Sequence, residues 1–412
     1  MIRLSPIDHV FTGVGAYPLE FVFAYGGRMD ADRLAESLRR ALVLFPAAGS
    51  RLVRLEDDSY GLEPGDDGCA FEVGTSTTGF ADAPDRHAFV DPVETVPGQP
   101  LARVRLTDTP DGSVLGVGLS HAIVDGFSYF YFLSTWSQLF HGHAVPPPWL
   151  DRGLLQPGGF PTLSSRGAPF ESGDEGSAGT GAEPADSSGP APPVSLGMTR
   201  GGLFLDDRRR AIPRDRLRWT RRLFPKVELR ALLAEAQSEC PVRLSHNDVV
   251  AAWLWRTHVS EWADPREPLA FLSCPVDLRR TLPGFPPTYF GCAVALANAT
   301  IERDRLAGAT PADLARRVRD AVAGVDEAAS RTALAVIDRL RRQEGLEALE
   351  RLHVVHPRAG LLVTNLSRLP VREIVFDAGP PVAYDILAPA ERCAVVLPAE
   401  DGLDVRICLP VA

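Results

Sequence analysis

The chain has 412 residues, 45% of them apolar, and carries 53 acidic against 43 basic side chains for a formal charge of -10. That length supports a large buried core and more than one domain, while the acidic balance excludes the broad basic surface needed for non-specific binding to nucleic acid or anionic membrane. The cysteines, Cys69, Cys240, Cys274, Cys292, Cys393 and Cys408, show no CxxC pair or zinc-like spacing and read as buried, reduced thiols of a cytoplasmic protein.

In chain order, the start "MIRLSPIDHVFTG" carries acid and proline where a signal peptide needs a continuous apolar run, and no apolar stretch is long enough to span a bilayer. "LEFVFAYGG", Leu19 to Gly27, is rich in strand formers and ends in glycines. Asp30 then offers an N-cap for a helix with Leu34, Leu38, Leu42 and Phe45 on one face, stopped by Pro46. "SVLGVGLSHAIVDG" predicts a strand ending just before His121, and the glycines at 116 and 118 signal close approach of a ligand or a second backbone. Asp125-Gly126 is a turn signal. Phe127, Phe130, Leu133, Trp136 and Phe140 follow at helical spacing, and His141 and His143 fall in the loop after it.

The segment Glu171 to Pro193 contains no aromatic, Val, Ile, Leu or Met residue and reads as a flexible linker. It predicts a first domain over 1–165, a crossover over 166–200 and a second domain over 201–412. The second half again offers a strand and then a helix: "RLRWTRRLF" before "PKVELRALLAEA", with Pro225 suited to a first helical turn. This repeated order hints at a duplicated unit with a cleft between the copies. "SHNDVVAAWLWRTH" predicts a helix capped by Ser245, with Asp248 three residues on. "SCPVDLRRTLPGFPPTYFGC" carries Asp277 and Arg279 after a strand-like start, and "TNLSRLPVREIVFDAG" reads as a hairpin with Thr364 and Asn365 on its first strand. The fold class is mixed α/β.

Two readings of His121 stand on the residues alone. It is a base exposed at a strand end facing a cleft, where α/β proteins place reactive groups, or it is a core histidine bonded to Asp125. A metal site would need further ligands, and the two later histidines do not obviously join it, so no metal is expected.

Three of these stretches, in this order, resemble the BAHD acyltransferases of the chloramphenicol acetyltransferase and condensation-domain superfamily. "SHAIVDG" is similar to the HxxxDG motif, "PVDLRRTLPGFPPTYFGC" to the DxR…YFGN region, and "TNLSRLPVREIVFDAGPP" to the strand leading into DFGWG. "LSPID", "LVLFPAAGSRL" and "VVAAWLWR" extend the likeness over nearly the whole chain. The resemblance implies two chloramphenicol-acetyltransferase-like domains with a solvent channel between them, donor thioester entering from one face and acceptor from the other. It implies His121 as catalytic base, Asp125 turned away to hold the loop by a salt bridge, Gly126 at the tight turn, and Asp377 paired with Arg279. Ser245, capping its helix, is a candidate contact for the thioester arm.

The chain also departs from that pattern. DFGWG becomes "DAGPP", YFGN becomes "YFGC", and Leu366 stands where plant members often have tryptophan. Thr364 and Asn365 are therefore the candidate oxyanion donors. The implied reaction is direct acyl transfer from acyl-CoA to a hydroxyl or amine of a small molecule, a specialised metabolite, by a monomer without prosthetic group. Acyl-carrier protein is the rival donor, although Ser120 replaces the histidine that condensation domains place before the motif. A non-catalytic binding protein on the same scaffold is the alternative of a different class.

Overall fold

The computed structural model describes residues 1–159, 198–199, 201–210, 212–387 and 391–411. The expected linker, Glu171–Pro193, lies outside them. Two mixed sheets dominate. In the first half, β1 (Leu19–Tyr25), β2 (Cys69–Thr75), β3 (Ala102–Thr109) and β4 (Gly112–Leu119) belong to one sheet. In the second half, β5 (Leu217–Pro225), β6 (Leu269–Asp277), β7 (Val294–Glu302), β8 (Gly360–Asn365), β10 (Cys393–Ala399) and β11 (Gly402–Pro410) form a six-stranded sheet in the order β7-β6-β8-β10-β11-β5. The remaining strand, β9 (Ala383–Ile386), leaves its own half. It pairs antiparallel with β1, Ile386 opposite Phe21, and completes the five-stranded order β9-β1-β4-β3-β2. The sheets therefore do not follow the division of the chain.

Local chemistry explains the elements around the site. β1 is buried along its whole length. Period-two alternation sends Phe21, Phe23 and Tyr25 into the main core and Val22 and Ala24 into a small cluster with Phe80, Phe89 and Val114. Asp30 caps α1 (Ala31–Leu44) by accepting the Arg33 N–H at 3.0 Å. In β4 the close approach is a second backbone: a Cβ on Gly116 would lie 1.8 Å from the Phe89 carbonyl oxygen. α2 (Gly126–Phe140) follows β4 after the six-residue segment holding His121. Pro225 sits at the N-cap of α3 (Lys226–Glu239), one position earlier than expected. Ser245 and Asp248 form the expected capping box of α4 (His246–Leu254). The repeated strand-then-helix order is present, yet β1 lies inside its sheet while β5 is an edge.

The expected hairpin after Asn365 does not form. Val371–Glu373 is a turn of 3-10 helix, and Phe376 and Gly379 make only an isolated bridge. Burial decides this: Phe376 packs edge-on against Trp136 and Phe140 of α2, at 5.1 and 5.3 Å between ring centroids. The Val375 main chain is also held by Ser137, which it bonds in both directions. No helix among the described residues is long and apolar enough to cross a membrane.

Candidate active site

The segment from Ser120 to Asp125 is fixed at almost every polar group except the His121 ring. At its start, Ser120 Oγ lies 2.7 Å from Thr95 Oγ1 and accepts the Ala122 N–H at 3.2 Å. At its end, Asp125 caps α2 through the Ser128 N–H at 2.8 Å and accepts the Ala293 N–H at 2.9 Å. Both Asp125 oxygens also receive Arg279, Nη1 at 2.8 Å and Nη2 at 3.2 Å, with both side chains almost fully buried.

Every donor nitrogen of Arg279 is engaged. Nε donates to the Tyr289 carbonyl at 3.0 Å, Nη1 also to Asp277 at 2.8 Å, and Nη2 also to Ser128 Oγ at 2.8 Å and the Gly291 carbonyl at 3.0 Å. The "YFG" stretch thus serves as main-chain acceptors for this guanidinium. Burial alone would raise the Asp125 carboxyl. The charge and hydrogen bonds of Arg279, with the Ser128 and Ala293 N–H groups, outweigh burial and hold it below the ordinary value.

Asp377, the expected partner of Arg279, does not pair with it. Asp377 instead accepts the Asp30 N–H at 3.0 Å and lies 4.0 Å from Arg33, tying the "DAGPP" turn to the start of α1. Gly126 also has a different reason from the one expected. Its φ is not in the left-handed region, but a Cβ there would meet Leu366 Cδ2 at 2.8 Å. Close approach of the Leu366 methyl, and not turn geometry, is what favours glycine at this position, and a Cβ would need that side chain to shift.

A second buried clamp carried no signal in the sequence beyond the "LSPID" match. Asp8 Oδ2 accepts Arg152 Nη1 at 2.7 Å and the Ser5 N–H at 2.8 Å. Arg152 Nη2 donates to the Ile123 carbonyl at 2.9 Å. Two arginines from elsewhere in the chain therefore grip the segment, Arg152 at its middle and Arg279 at its end.

His121 is the exception. Its ring faces a cavity lined mainly by Leu19, Leu296, Leu362, Leu366 and Val395, with Tyr17 and Thr364 as the nearby hydroxyls. The ring stacks on Phe11, centroids 4.0 Å apart and planes at 9°, and meets Tyr17 edge-on at 5.6 Å. Nδ1 is buried and bonds no other described residue, and the ring's hydrogen bond is to its own main chain. Burial pushes the imidazole below its ordinary value of 6.5, partly offset by its own main chain and by Asp125 and Asp8.

Thr364 and Asn365 are adjacent on β8 and point to different places. Thr364 lines the His121 cavity. Asn365 does not: its amide donates to Asn247 at 2.8 Å and its carbonyl accepts from Ser367. Asn365 is thereby corrected as an oxyanion candidate, for strand alternation turns it to the opposite face. It lines a second cleft with Ser245, Ser367 and five cations, Lys226, Arg230, Arg243, Arg319 and Arg368, and no carboxylate lines that cleft. Ser245 Oγ donates to Asp248 at 2.8 Å there. A third cleft shares Phe11, Tyr17 and Val354 with the His121 cavity and opens among Asp207, Arg210 and Arg392. His141 lies apart from all three, its Nε2 3.2 Å from the Val375 carbonyl, with His143 beside it.

His9, His121, His258, His353 and His356 all sit below 6.5, with burial the leading cause in each. Below about pH 6.5 the unfolded chain takes up protons that these folded sites refuse, so stability is complete above that pH and is lost as pH falls through the folded values. The thermal midpoint should drop between about pH 7.5 and 5.5, and an unchanged or rising midpoint would contradict it.

The model of the family described as "Transferase family" matches residues 2–178 and 221–412. The chain is 30% identical over 422 residues to hydroxycinnamoyl-CoA:5-hydroxyanthranilate N-hydroxycinnamoyltransferase HHT4 of Avena sativa, covering 96% of this chain and 86% of that one. It is 29% identical over 408 residues to hydroxycinnamoyltransferase 2 of Oryza sativa subsp. japonica, covering 93% and 85%. Among solved structures, TRI101 of F. graminearum, complexed with coenzyme A and deoxynivalenol, aligns with a TM-score of 0.72 at 13% identity over 99% of this chain and 95% of that one. Vinorine synthase aligns at 0.67 with 18% identity, over 99% and 90%. The likeness to these two is one of fold.

Proposed function

Given that the chain belongs to the Transferase family, the BAHD acyltransferases, we propose that it moves an acyl group from acyl-CoA to a hydroxyl or amine of a small molecule, with His121 as general base. The observation that carries the donor assignment is the cleft beside β8. In a protein of formal charge -10 it gathers five cations, of which Arg319 is paired with Asp248 and Lys226 lies 3.7 Å from Asp401, leaving Arg230, Arg243 and Arg368 without an ion pair among the described residues; that surplus suits the phosphates of coenzyme A. The names of the relatives, hydroxycinnamoyl-CoA among them, support the same donor. The alternation of Thr364 and Asn365 supports a path from that cleft to His121, because neighbouring residues of one strand face the two spaces. Ser245, at the same cleft, stays our candidate for contacting the thioester arm.

With its proton on the buried Nδ1, the imidazole offers the Nε2 lone pair to the acceptor. The acceptor O–H or N–H gives up its proton as it attacks the thioester carbonyl. The tetrahedral oxyanion takes a hydrogen bond from Thr364, and one such donor is worth about 10²–10³ in rate. Collapse breaks the C–S bond, and His121 returns the proton to the departing thiolate. The aliphatic lining suits an acyl group with an apolar body, such as an aromatic or aliphatic acid.

The test is to supply cinnamoyl-, benzoyl- and acetyl-CoA with a panel of alcohols and amines and to follow acylated product by mass spectrometry. Transfer from an acyl-carrier protein but from no acyl-CoA would overturn the donor assignment. Arg243 and Arg368 carry no ion pair among the described residues and are exposed, so replacing both with glutamine should leave folding unchanged. The KM for acyl-CoA should rise by about tenfold, kcat should change little, and the wild-type KM should climb with salt. Equal KM values in the two proteins would count against a phosphate site there.

A further inference from the structure

We propose that the Tyr17 hydroxyl selects the acyl acceptor by hydrogen-bonding a polar group beside the reacting hydroxyl or amine. Acceptors with two neighbouring polar groups, vicinal aminophenols and diols, are then favoured over those with one. The proposal rests on the reading of His121 as the base of an acyl transfer. Two hydroxyls line the mainly aliphatic His121 cavity, those of Thr364 and Tyr17, and they belong to opposite entrances. Thr364 sits on β8 one residue from Asn365, which lines the cationic donor cleft. Tyr17 also lines the third cleft, together with Phe11 and Val354. With the thioester arriving past Thr364, the third cleft is the entrance left to the acceptor, and Tyr17 stands where it joins the cavity.

The rings fix where that phenol stands. Phe11 covers one face of the imidazole at 4.0 Å and 9°. Tyr17 is perpendicular to both rings and nearly equidistant from them, 5.6 Å from His121 and 6.0 Å from Phe11, at 89° and 82°. A ring over the open face of the imidazole would be much farther from Phe11 than from His121. Tyr17 therefore stands beside the stack, off the edge of the imidazole. The Nε2 lone pair lies in the ring plane, so the acceptor atom that gives up its proton also lies off an edge and not over a face. The backbone holds Tyr17 in place. The Ala16 N–H bonds the Gly13 carbonyl at 3.3 Å, and Pro18 follows before β1 begins at Leu19.

The hydroxyl is also free for a ligand. The phenols of Tyr25 and Tyr129 are taken up by main-chain carbonyls, Ile374 at 3.0 Å and Val117 at 2.8 Å. The Tyr17 hydroxyl bonds no described residue, and the residue is half-buried, open to the cavity. Arg209, the cation nearest this phenol, is occupied: Nη1 donates to the Val10 carbonyl at 2.6 Å and Nη2 to the Thr12 carbonyl at 2.9 Å. Burial raises the phenol well above its ordinary value, Cys393 and Cys292 act the same way, and Arg209 opposes them. The proton therefore stays on the oxygen at neutral pH, and the hydroxyl can donate or accept. A hydroxyl without a partner gains from a polar group on the ligand and is left unpaired by an apolar one, which is how a site rejects an analogue of the same size.

The experiment pairs ortho-aminophenol with ortho-toluidine, and catechol with ortho-cresol, each supplied with the acyl-CoA panel named above. Within a pair a methyl replaces the neighbouring hydroxyl at similar size. Tyr17→Phe removes only the hydroxyl and keeps the ring. The quantity read is the ratio of kcat/KM within a pair, and Tyr17→Phe should lower it about tenfold. The whole change should come from the member with two polar groups. The methyl member, the KM for acyl-CoA and the thermal midpoint should stay as in wild type. An unchanged ratio in Tyr17→Phe overturns the proposal, as does an equal loss for both members, or a wild type that acylates neither ortho-aminophenol nor catechol. His121→Ala separates the two levels. If it is inactive while Tyr17→Phe keeps the wild-type ratio, only the acceptor assignment falls; if it is active, the base reading falls first.

Discussion

His121→Ala should lose acyl transfer by about 10²–10⁴-fold in kcat, the range that general base catalysis supplies, while its fold and its affinity for acyl-CoA stay close to wild type. The separation follows from how the segment is built. Its polar anchors belong to Ser120, the Ala122 and Ile123 main chain, and Asp125. Removing the imidazole deletes none of them. The ring stacks on Phe11 and otherwise bonds only its own main chain, so the stability cost is that of a modest cavity beside Phe11. Steady-state rates with acyl-CoA, read beside the thermal midpoint and the KM for donor, check this. A variant that transfers at the wild-type rate would remove His121 from the mechanism. One that fails to fold would show that the segment depends on the ring more than its contacts indicate.

The opposite profile is expected of Arg279→Leu. Breaking a buried ion pair by deleting one partner typically costs about 3–5 kcal/mol, because the remaining charge is left uncompensated. Here the orphan would be Asp125, held below its ordinary value by burial's failure to outweigh Arg279. The Tyr289 carbonyl would lose its guanidinium donor in the same step, while Ser128 Oγ and Gly291 would keep only the bonds they make to each other. Activity should fall with the folded fraction, and the denaturant midpoint should drop first. Asp125→Asn should be milder: asparagine keeps an acceptor for the α2 cap, and Arg279 keeps Asp277. An Arg279→Leu variant of wild-type stability but no activity would move this arginine from scaffold to chemistry.

The legible parts of the chain were those with short-range causes. The alternation of Phe21, Phe23 and Tyr25, the Asp30 cap and the Ser245–Asp248 box each act within a few residues. His121, Asp125 and Arg279 were legible singly, through resemblance to a family. Their partners were not. Asp125 and Arg279 are separated by 154 positions, and nothing in either neighbourhood records which arginine meets which acid. The expected Arg279–Asp377 pair failed because Asp377 is claimed by the Asp30 N–H at the start of α1. Asn365 failed because one step along a strand reverses the face. Arg152 and Phe11 had no signal at all: an arginine in a loop and a phenylalanine near the start look like many others until the fold brings them to one segment.

The excursion of Ala383–Ile386 into the first sheet bears on how the protein comes off the ribosome. β1 emerges early, and β4 can cover one of its edges as soon as the first third of the chain is made. Its other edge has to wait for a strand encoded near the end of the chain. For most of synthesis that edge carries open N–H and C=O groups beside Phe21 and Phe23, the kind of surface on which nascent chains pair with each other. Ile386 also lines the cavity of His121. The His121 cavity therefore gains part of its wall as the first sheet is closed, and a chain that stops before Ala383 lacks both.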